Sequence, residues 1–358
     1  MKISIILGTR PEIIKMSPVI RECERLKLDY FVLHTGQHYS YEMDCVFFKQ
    51  LKLPKPKYNL DVGSHSHAKQ TGLILKGVEK VLLKEKPDVV LVEGDTNSVL
   101  AGALSATKLD IKVGHIEAGL RSYDRKMPEE INRILTDHCS DFLFAPTERS
   151  RRILLNEGIS DKRIFVTGNT IVDAVFQNVA LAKKKTNIVD QLNFERKKYF
   201  LVTIHRQENV DDKVRFDGIL KGLKKINEKF GIPVVYPIHP RARIKLHKFN
   251  LNPDGITIIE PLDYLSFLQL EQNAKVVLTD SGGVQEESCI LGVPCVTLRD
   301  NTERPETIDI GSNVLSGTLP KNIVICVSSM YNNKKVWSNP FGDGKAGKRI
   351  LKILKEVV

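Results

Sequence analysis

The chain has 358 residues, enough for two domains and a sizeable core without disulfide or metal staples. Hydrophobic residues make up 42% and charged residues 27%, which excludes a disordered chain. A formal net charge of +11 points to anionic partners (phosphorylated small molecules, nucleic acid or an acidic membrane) without choosing among them.

Short, nearly continuous apolar runs alternate with longer amphipathic stretches. The strand-like runs of the first half are Lys2–Leu7, Tyr30–His34, Asp88–Val92, Lys112–Ile116, Phe142–Ala145 and Arg163–Val166. Those of the second half are Tyr199–Ile204, Pro233–Ile238, Ile256–Ile259, Lys275–Leu278 and Cys295–Leu298. Their Val and Ile content is that of parallel strands buried on both faces. Helical patterns intervene, as at Ile13–Leu26, Gln70–Lys84, Glu129–Cys139 and Phe216–Phe230. The expected class is α/β, with two Rossmann-like doubly wound domains facing across a cleft. The charged stretch 181–198 precedes a fresh strand, and the division expected is 1–172 and 173–346. The last segment, 347–358, is a lone amphipathic helix.

The six cysteines form no Cys-x-x-Cys pair, which fits a reducing cytoplasm and argues against a zinc ribbon. The N-terminal apolar run is too short for a secretion signal, and no stretch approaches a membrane span. One Trp and no basic stripe interleaved with aromatics leave nucleic-acid binding unsupported. His65-Ser66-His67 lacks the acids or cysteines of a metal site and reads as a polar loop.

In open parallel sheets, ligands bind beyond the carboxyl ends of the strands. After the first strand, Gly8-Thr9-Arg10-Pro11 opens a helix and carries Arg10 and Lys15 towards an anion. It is neither a dinucleotide fingerprint nor a Walker loop, so no nicotinamide or ATP cofactor is expected. Asp95 follows another strand, Glu117 ends the run His115-Ile116-Glu117, and Glu129 starts a helix. Asp95 also reads as a helix cap and Glu129 as a first-turn acid. Glu117 is harder to explain that way, since a carboxylate inside an apolar strand end needs a partner or a purpose. Together such acids suit proton transfer.

In the second half, His205 follows a strand beside Arg206, and His239 occupies a similar strand end. Thr279-Asp280-Ser281-Gly282-Gly283 runs from a strand into a helix, where two glycines let backbone N–H groups approach a diphosphate. Glu287, one turn on, suits ribose hydroxyls, and Arg304 reaches the same edge.

Seven motifs in order, GTRPEIIKMSPV, LVEGDTNSV, HIEAGLRS, PEEINR, TIHRQEN, TDSGGVQEE and LRDNTERPE, resemble the non-hydrolysing UDP-N-acetylglucosamine 2-epimerase family. The resemblance implies a glycosyltransferase-B-like fold whose C-terminal helix returns to the first domain. It implies reversible conversion of UDP-GlcNAc to UDP-ManNAc through 2-acetamidoglucal, without cofactor or metal, in a cytoplasmic homodimer. It assigns catalysis to Asp95, Glu117, Glu129 and His205. It gives UDP contacts to Arg10, Lys15, Phe267, Ser281, Gly282, Gly283, Glu287 and Arg304, with Phe267 near the uracil. A second UDP-GlcNAc site is implied at Gln37, His38, Gln70, Arg206 and His239, with Lys69 where an Arg is common. The rival classes are a glycosyltransferase of the same fold, a hydrolysing epimerase and a non-enzymatic nucleotide-sugar sensor.

Overall fold

The computed structural model describes residues 1–37, 41–333 and 335–358, and of residues 41–44 the backbone alone. His38 therefore lies outside the described residues. The chain forms two units: Met1–Gln177 with Phe341–Val358, and Asn178–Pro340. The first division falls inside the helix Thr170–Lys185, where composition gives no boundary signal, five residues beyond the one read from sequence.

In the first unit the strands are β1 (Lys2–Leu7), β2 (Asp29–His34), β3 (Tyr58–Asn59), β4 (Val89–Glu93), β5 (Lys112–Ile116), β6 (Phe142–Ala145) and β7 (Ile164–Val166). They form one parallel sheet in the order β3-β2-β1-β4-β5-β6-β7. In the second unit β8 (Phe200–Thr203), β9 (Val234–Pro237), β10 (Thr257–Ile259), β11 (Val276–Thr279), β12 (Cys295–Thr297) and β13 (Asn313–Leu315) order as β10-β9-β8-β11-β12-β13, again parallel. The apolar runs do become doubly buried strands: Val89–Val92 and Val276–Leu278 are 0% exposed. Two strands escaped the sequence pattern, β3 with two residues and β13 with three, because neither forms a recognisable apolar run.

Each sheet reverses direction of growth once. The switch lies between β1 and β4 in the first unit and between β8 and β11 in the second. At such a point adjacent loops leave in opposite directions and open a crevice beyond the strand ends.

The helix Ala346–Val357 packs on the helix Arg10–Leu26 of the first unit. Ile350, Leu351 and Leu354 are fully buried there, each stabilising by roughly 1.5–3 kcal/mol. Asp173 caps it, accepting the Ala346 and Gly347 N–H groups at 3.1 Å each. A Cβ on Gly347 would stand 3.2 Å from the Pro18 carbonyl carbon, so glycine permits the close crossing. Among the described residues no helix is long and apolar enough to cross a membrane.

Candidate active site

At the first unit's switch point, the β1 and β4 turns are tied by Glu12. Its carboxyl accepts the Gly8 N–H at 2.5 Å, the Thr9 N–H at 3.2 Å and the Thr96 hydroxyl at 2.5 Å. Burial pushes its pKa up to about 7, against those three donors and with Asp95 adding to the rise. Thr96 caps the helix Asn97–Lys108 through the Ser98 N–H, and Gly94 turns the chain at φ +88°.

Glu117 directly follows β5 in the left-handed region, at φ +69°, a conformation costing a non-glycine residue of order 1 kcal/mol or more. It is held there by Lys15, whose Nζ lies 2.6 Å from both carboxylate oxygens, and by Asn169 Nδ2 at 2.9 Å. The same Lys15 Nζ is 3.3 Å from Glu93 Oε1. Burial drives the Glu93 carboxyl well above its usual range; Lys15 opposes this and Glu117 adds to it.

Asp95 is 30% exposed and meets Arg133 Nη2 at 2.5 Å. Arg133 also holds Glu130 at 2.8 Å. Asn132 donates to the Asp95 carbonyl at 2.9 Å. A cavity of about 270 Å³ is lined by Asp95 and half-buried Glu129, together with Gln37, Gln70, His65 and His67. The structure thus brings Asp95 and Glu129 to one hollow. Glu117 is not among its lining residues and clusters with Lys15, Glu93 and Asn169 instead. The His65–His67 segment is more than a polar loop: both histidines line the hollow, and His67 starts the helix His67–Glu85.

Gln37 and Gln70 are nearly buried and bonded internally. Gln37 Oε1 accepts from the Ser98 N–H and hydroxyl, and Gln70 Nε2 donates to the Gln37 and Gly63 carbonyls. Arg10 lies over the Phe47 ring at 5.9 Å.

A second layer fixes the acid-bearing loops. His115, 0% exposed, bonds the Gly94 carbonyl through Nε2 at 2.9 Å and Asp137 through Nδ1 at 2.7 Å. Asp137 also takes the Gly119 N–H at 3.2 Å and faces Arg121 at 2.7 Å. Burial would raise the Asp137 pKa, but His115 and Arg121 outweigh it and leave it lowered.

In the second unit, neighbouring strands β9, β8, β11 and β12 deliver His239, His205, Ser281 and the segment Arg299–Arg304 to one sheet edge. His205 Nδ1 is 3.1 Å from Asp280 Oδ1, and its side chain is 42% exposed. Asp280, fully buried, further accepts the Arg206 N–H and the Asn209 amide. Burial raises its pKa less than His205 and these donors lower it. The His239 ring centre lies 6.1 Å from that of His205. His239 Nδ1 accepts the Arg241 N–H at 3.2 Å, capping the helix Pro240–Phe249. Burial, then the neighbouring His205 and Arg241, hold the His239 pKa down.

Ser281 precedes the helix Gly282–Ile290. A Cβ on Gly282 or Gly283 would meet no protein atom closer than 3.8 or 3.9 Å, and neither residue has a positive φ. Packing and backbone strain therefore do not demand glycine; the effect is a bare helix N-terminus. Glu287 accepts the Tyr264 hydroxyl at 2.8 Å, and Tyr264 titrates far above its usual value through burial and that carboxylate. Arg304 meets Glu286 at 2.7 Å. Arg299 clasps Glu303 at 2.9 and 3.0 Å; burial works against ionisation there, yet Arg299 with Arg206 and Arg304 pulls the Glu303 pKa down to about 2. Phe267 packs, partly buried, against the cluster of Tyr199, Leu201, Leu270 and Val277.

Among the described residues no group of three His, Cys, Asp or Glu side chains is arranged to hold a metal ion. The residues not singled out from sequence are Glu12, Glu93, His115, Asp137, Asn169, Asp280 and Tyr264. Glu93 and Asp280 carried a signal: the first closes an apolar strand and the second directly follows one.

A family model described as UDP-N-acetylglucosamine 2-epimerase matches residues 21–355. A UDP-N-acetylglucosamine 2-epimerase of Methanocaldococcus jannaschii is 57% identical over 99% of both chains. A UDP-2,3-diacetamido-2,3-dideoxy-D-glucuronate 2-epimerase of Pseudomonas aeruginosa is 43% identical over 100% of both. The crystal structure of the M. jannaschii enzyme in complex with UDP-GlcNAc and UDP superimposes with a TM-score of 0.92, at 57% identity, covering 99% of this chain and 100% of that one.

Proposed function

Because the chain belongs to the UDP-N-acetylglucosamine 2-epimerase family, we propose that it interconverts UDP-GlcNAc and UDP-ManNAc by eliminating and re-adding UDP. The observation that carries this reading is the bare N-terminus at Gly282 and Gly283, with Glu287 one turn further on. Backbone N–H groups and a helix dipole favour a diphosphate, and a carboxylate accepts ribose hydroxyls. Arg304 adds positive charge, and Phe267 offers the uracil an aromatic ring.

The chemistry follows from the substrate. No carbonyl lies next to C2, so its proton is not acidic enough for direct removal. Loss of UDP from C1 changes that: the C2–H electron pair forms the C1=C2 bond as the C1–O pair departs with UDP. The product of this step is 2-acetamidoglucal. Protonation of C2 from the opposite face, with return of UDP to C1, completes the inversion. Two faces call for two proton-transfer groups, which we assign among Asp95, Glu117 and Glu129. Charge develops on the departing diphosphate, where pre-oriented donors act most strongly. His205, with Nδ1 turned to Asp280, presents Nε2 for that role. Arg10, opening the first unit's helix Arg10–Leu26, offers a cation to a phosphate. Lys15 is Glu117's counter-ion in this reading, because both of its short contacts go to that carboxylate.

We propose that Arg206 and His239 of the second unit contact a second UDP-GlcNAc; Gln37 and Gln70 line the acidic hollow of the first unit. We also read the protein as a homodimer.

Incubation with UDP-GlcNAc followed by anion-exchange separation tests the function. Two UDP-sugars at a constant ratio, with no accumulating UDP, are expected. Stoichiometric UDP with free ManNAc would make the enzyme a hydrolysing epimerase, and no change without an acceptor would favour a transferase.

A further inference from the structure

Behind Glu117 lies a carboxyl group that the mechanism above does not use. Glu93 closes β4, is 2% exposed and shares one ammonium with Glu117: Lys15 Nζ is 3.3 Å from Glu93 Oε1 and 2.6 Å from both Glu117 oxygens. Among the described residues its fully buried Oε1 accepts no hydrogen bond, and Lys15 Nζ stands 3.3 Å away. Two ionised carboxylates drawn to one ammonium repel each other, since neither has a proton to give the other. Both ionised beside one ammonium would also leave a net negative charge in a dry pocket, with Glu12 adding to the repulsion. One proton on the pair removes both difficulties.

The donors decide where that proton sits. Glu117 receives Lys15 on both oxygens at 2.6 Å and Asn169 at 2.9 Å, an environment that favours the ionised form. Among the described residues, the contact to Glu93 is the longer one from Lys15. We propose that Glu93 is a carboxylic acid in the resting protein and donates its O–H to the Glu117 carboxylate, forming a buried acid–carboxylate pair neutralised by Lys15. This rests on the reading of Glu117 as a proton-transfer group only for its consequence. Glu93 is a positioning residue that keeps Glu117 ionised and fixes the direction of its lone pairs. The pair as a whole titrates, so its apparent pKa values belong to both residues.

Infrared spectroscopy of the resting protein in H2O and 2H2O at pH 8 tests the pair without requiring turnover. Wild type shows a carboxylic-acid C=O band from Glu93 that shifts on deuteration. Glu93→Gln, which keeps the size and a donor, loses that band. Glu117→Gln loses it as well, because Lys15 is then left to Glu93 alone and ionises it; this variant carries the test if Glu93→Gln does not fold. An unchanged acid band in Glu93→Gln would overturn the proposal. A band lost in Glu93→Gln but retained in Glu117→Gln would overturn the sharing. In turnover, the alkaline decline of kcat expected from loss of the shared proton should be absent in Glu93→Gln, whose amide cannot ionise. A protein with the expected spectra but no epimerisation would refute the functional reading and leave the pair standing.

Discussion

Asp280 holds His205 at two points: it accepts the His205 backbone N–H at 3.1 Å and lies 3.1 Å from ring Nδ1. The carboxylate fixes Nδ1 as the donor and leaves Nε2 to face a substrate. Asp280→Asn keeps the size but removes the anion, so the ring loses its fixed tautomer. Turnover should fall by about a hundredfold, in the range for losing an oriented acid or base. KM should change little, because Asp280 is buried and cannot touch UDP. Steady-state kinetics separates the two; a large KM effect with intact kcat would contradict this role.

Amide substitution of Asp95, Glu117 and Glu129 tests the proton-transfer assignment. Each variant should lose at least about a hundredfold in turnover, while UDP binding by calorimetry stays near wild type. Near-normal turnover in all three would remove the assignment.

The glycines before Gln285 separate packing from binding. A Cβ at Gly282 has 3.8 Å of clearance and at Gly283 3.9 Å. Gly283→Ala should therefore leave the melting temperature unchanged or slightly raised, since alanine favours a helix by about 1 kcal/mol over glycine. UDP affinity should nevertheless drop at least about tenfold, the equivalent of one lost interaction of 1.4 kcal/mol. Unaltered affinity would show that the diphosphate does not lie on this helix end.

Glu12 gives the fold a pH dependence. It titrates at 4.5 when unperturbed and about 7 when folded. Between those values the folded state keeps a proton that the unfolded state has released, so stability falls as pH rises. Over the whole window the loss attributable to Glu12 is about 3 kcal/mol. Glu12→Gln should flatten that slope, measured by urea unfolding at pH 4.5, 6 and 7.5. An equal slope in the variant would contradict the buried-acid account.

The two parallel sheets were legible because Val89–Val92 of β4 and Val276–Leu278 of β11 are unbroken apolar runs, as burial on both faces requires. Asp95 and Glu117 were legible because an acid at the end of such a run stands out, while Glu93 and Asp280 carried the same signal and were passed over. The support network was not. His115 meets Asp137 across 22 residues of chain, and Glu117 meets Lys15 across 102. No local pattern encodes such pairings, which arise only when the topology lays strand ends side by side. Glu12 was hidden differently, since an acid three residues into a helix reads as an ordinary cap partner. Here it joins two loops.

Deuterium incorporation at C2 tests the central claim most directly. Proton NMR of the protein with UDP-GlcNAc in 2H2O should show the C2 proton signal of intact UDP-sugar disappearing as UDP-ManNAc grows in. Retention of the C2 proton through complete equilibration, or deuterium only in free sugar, would contradict elimination and re-addition of UDP with proton transfer by these acids.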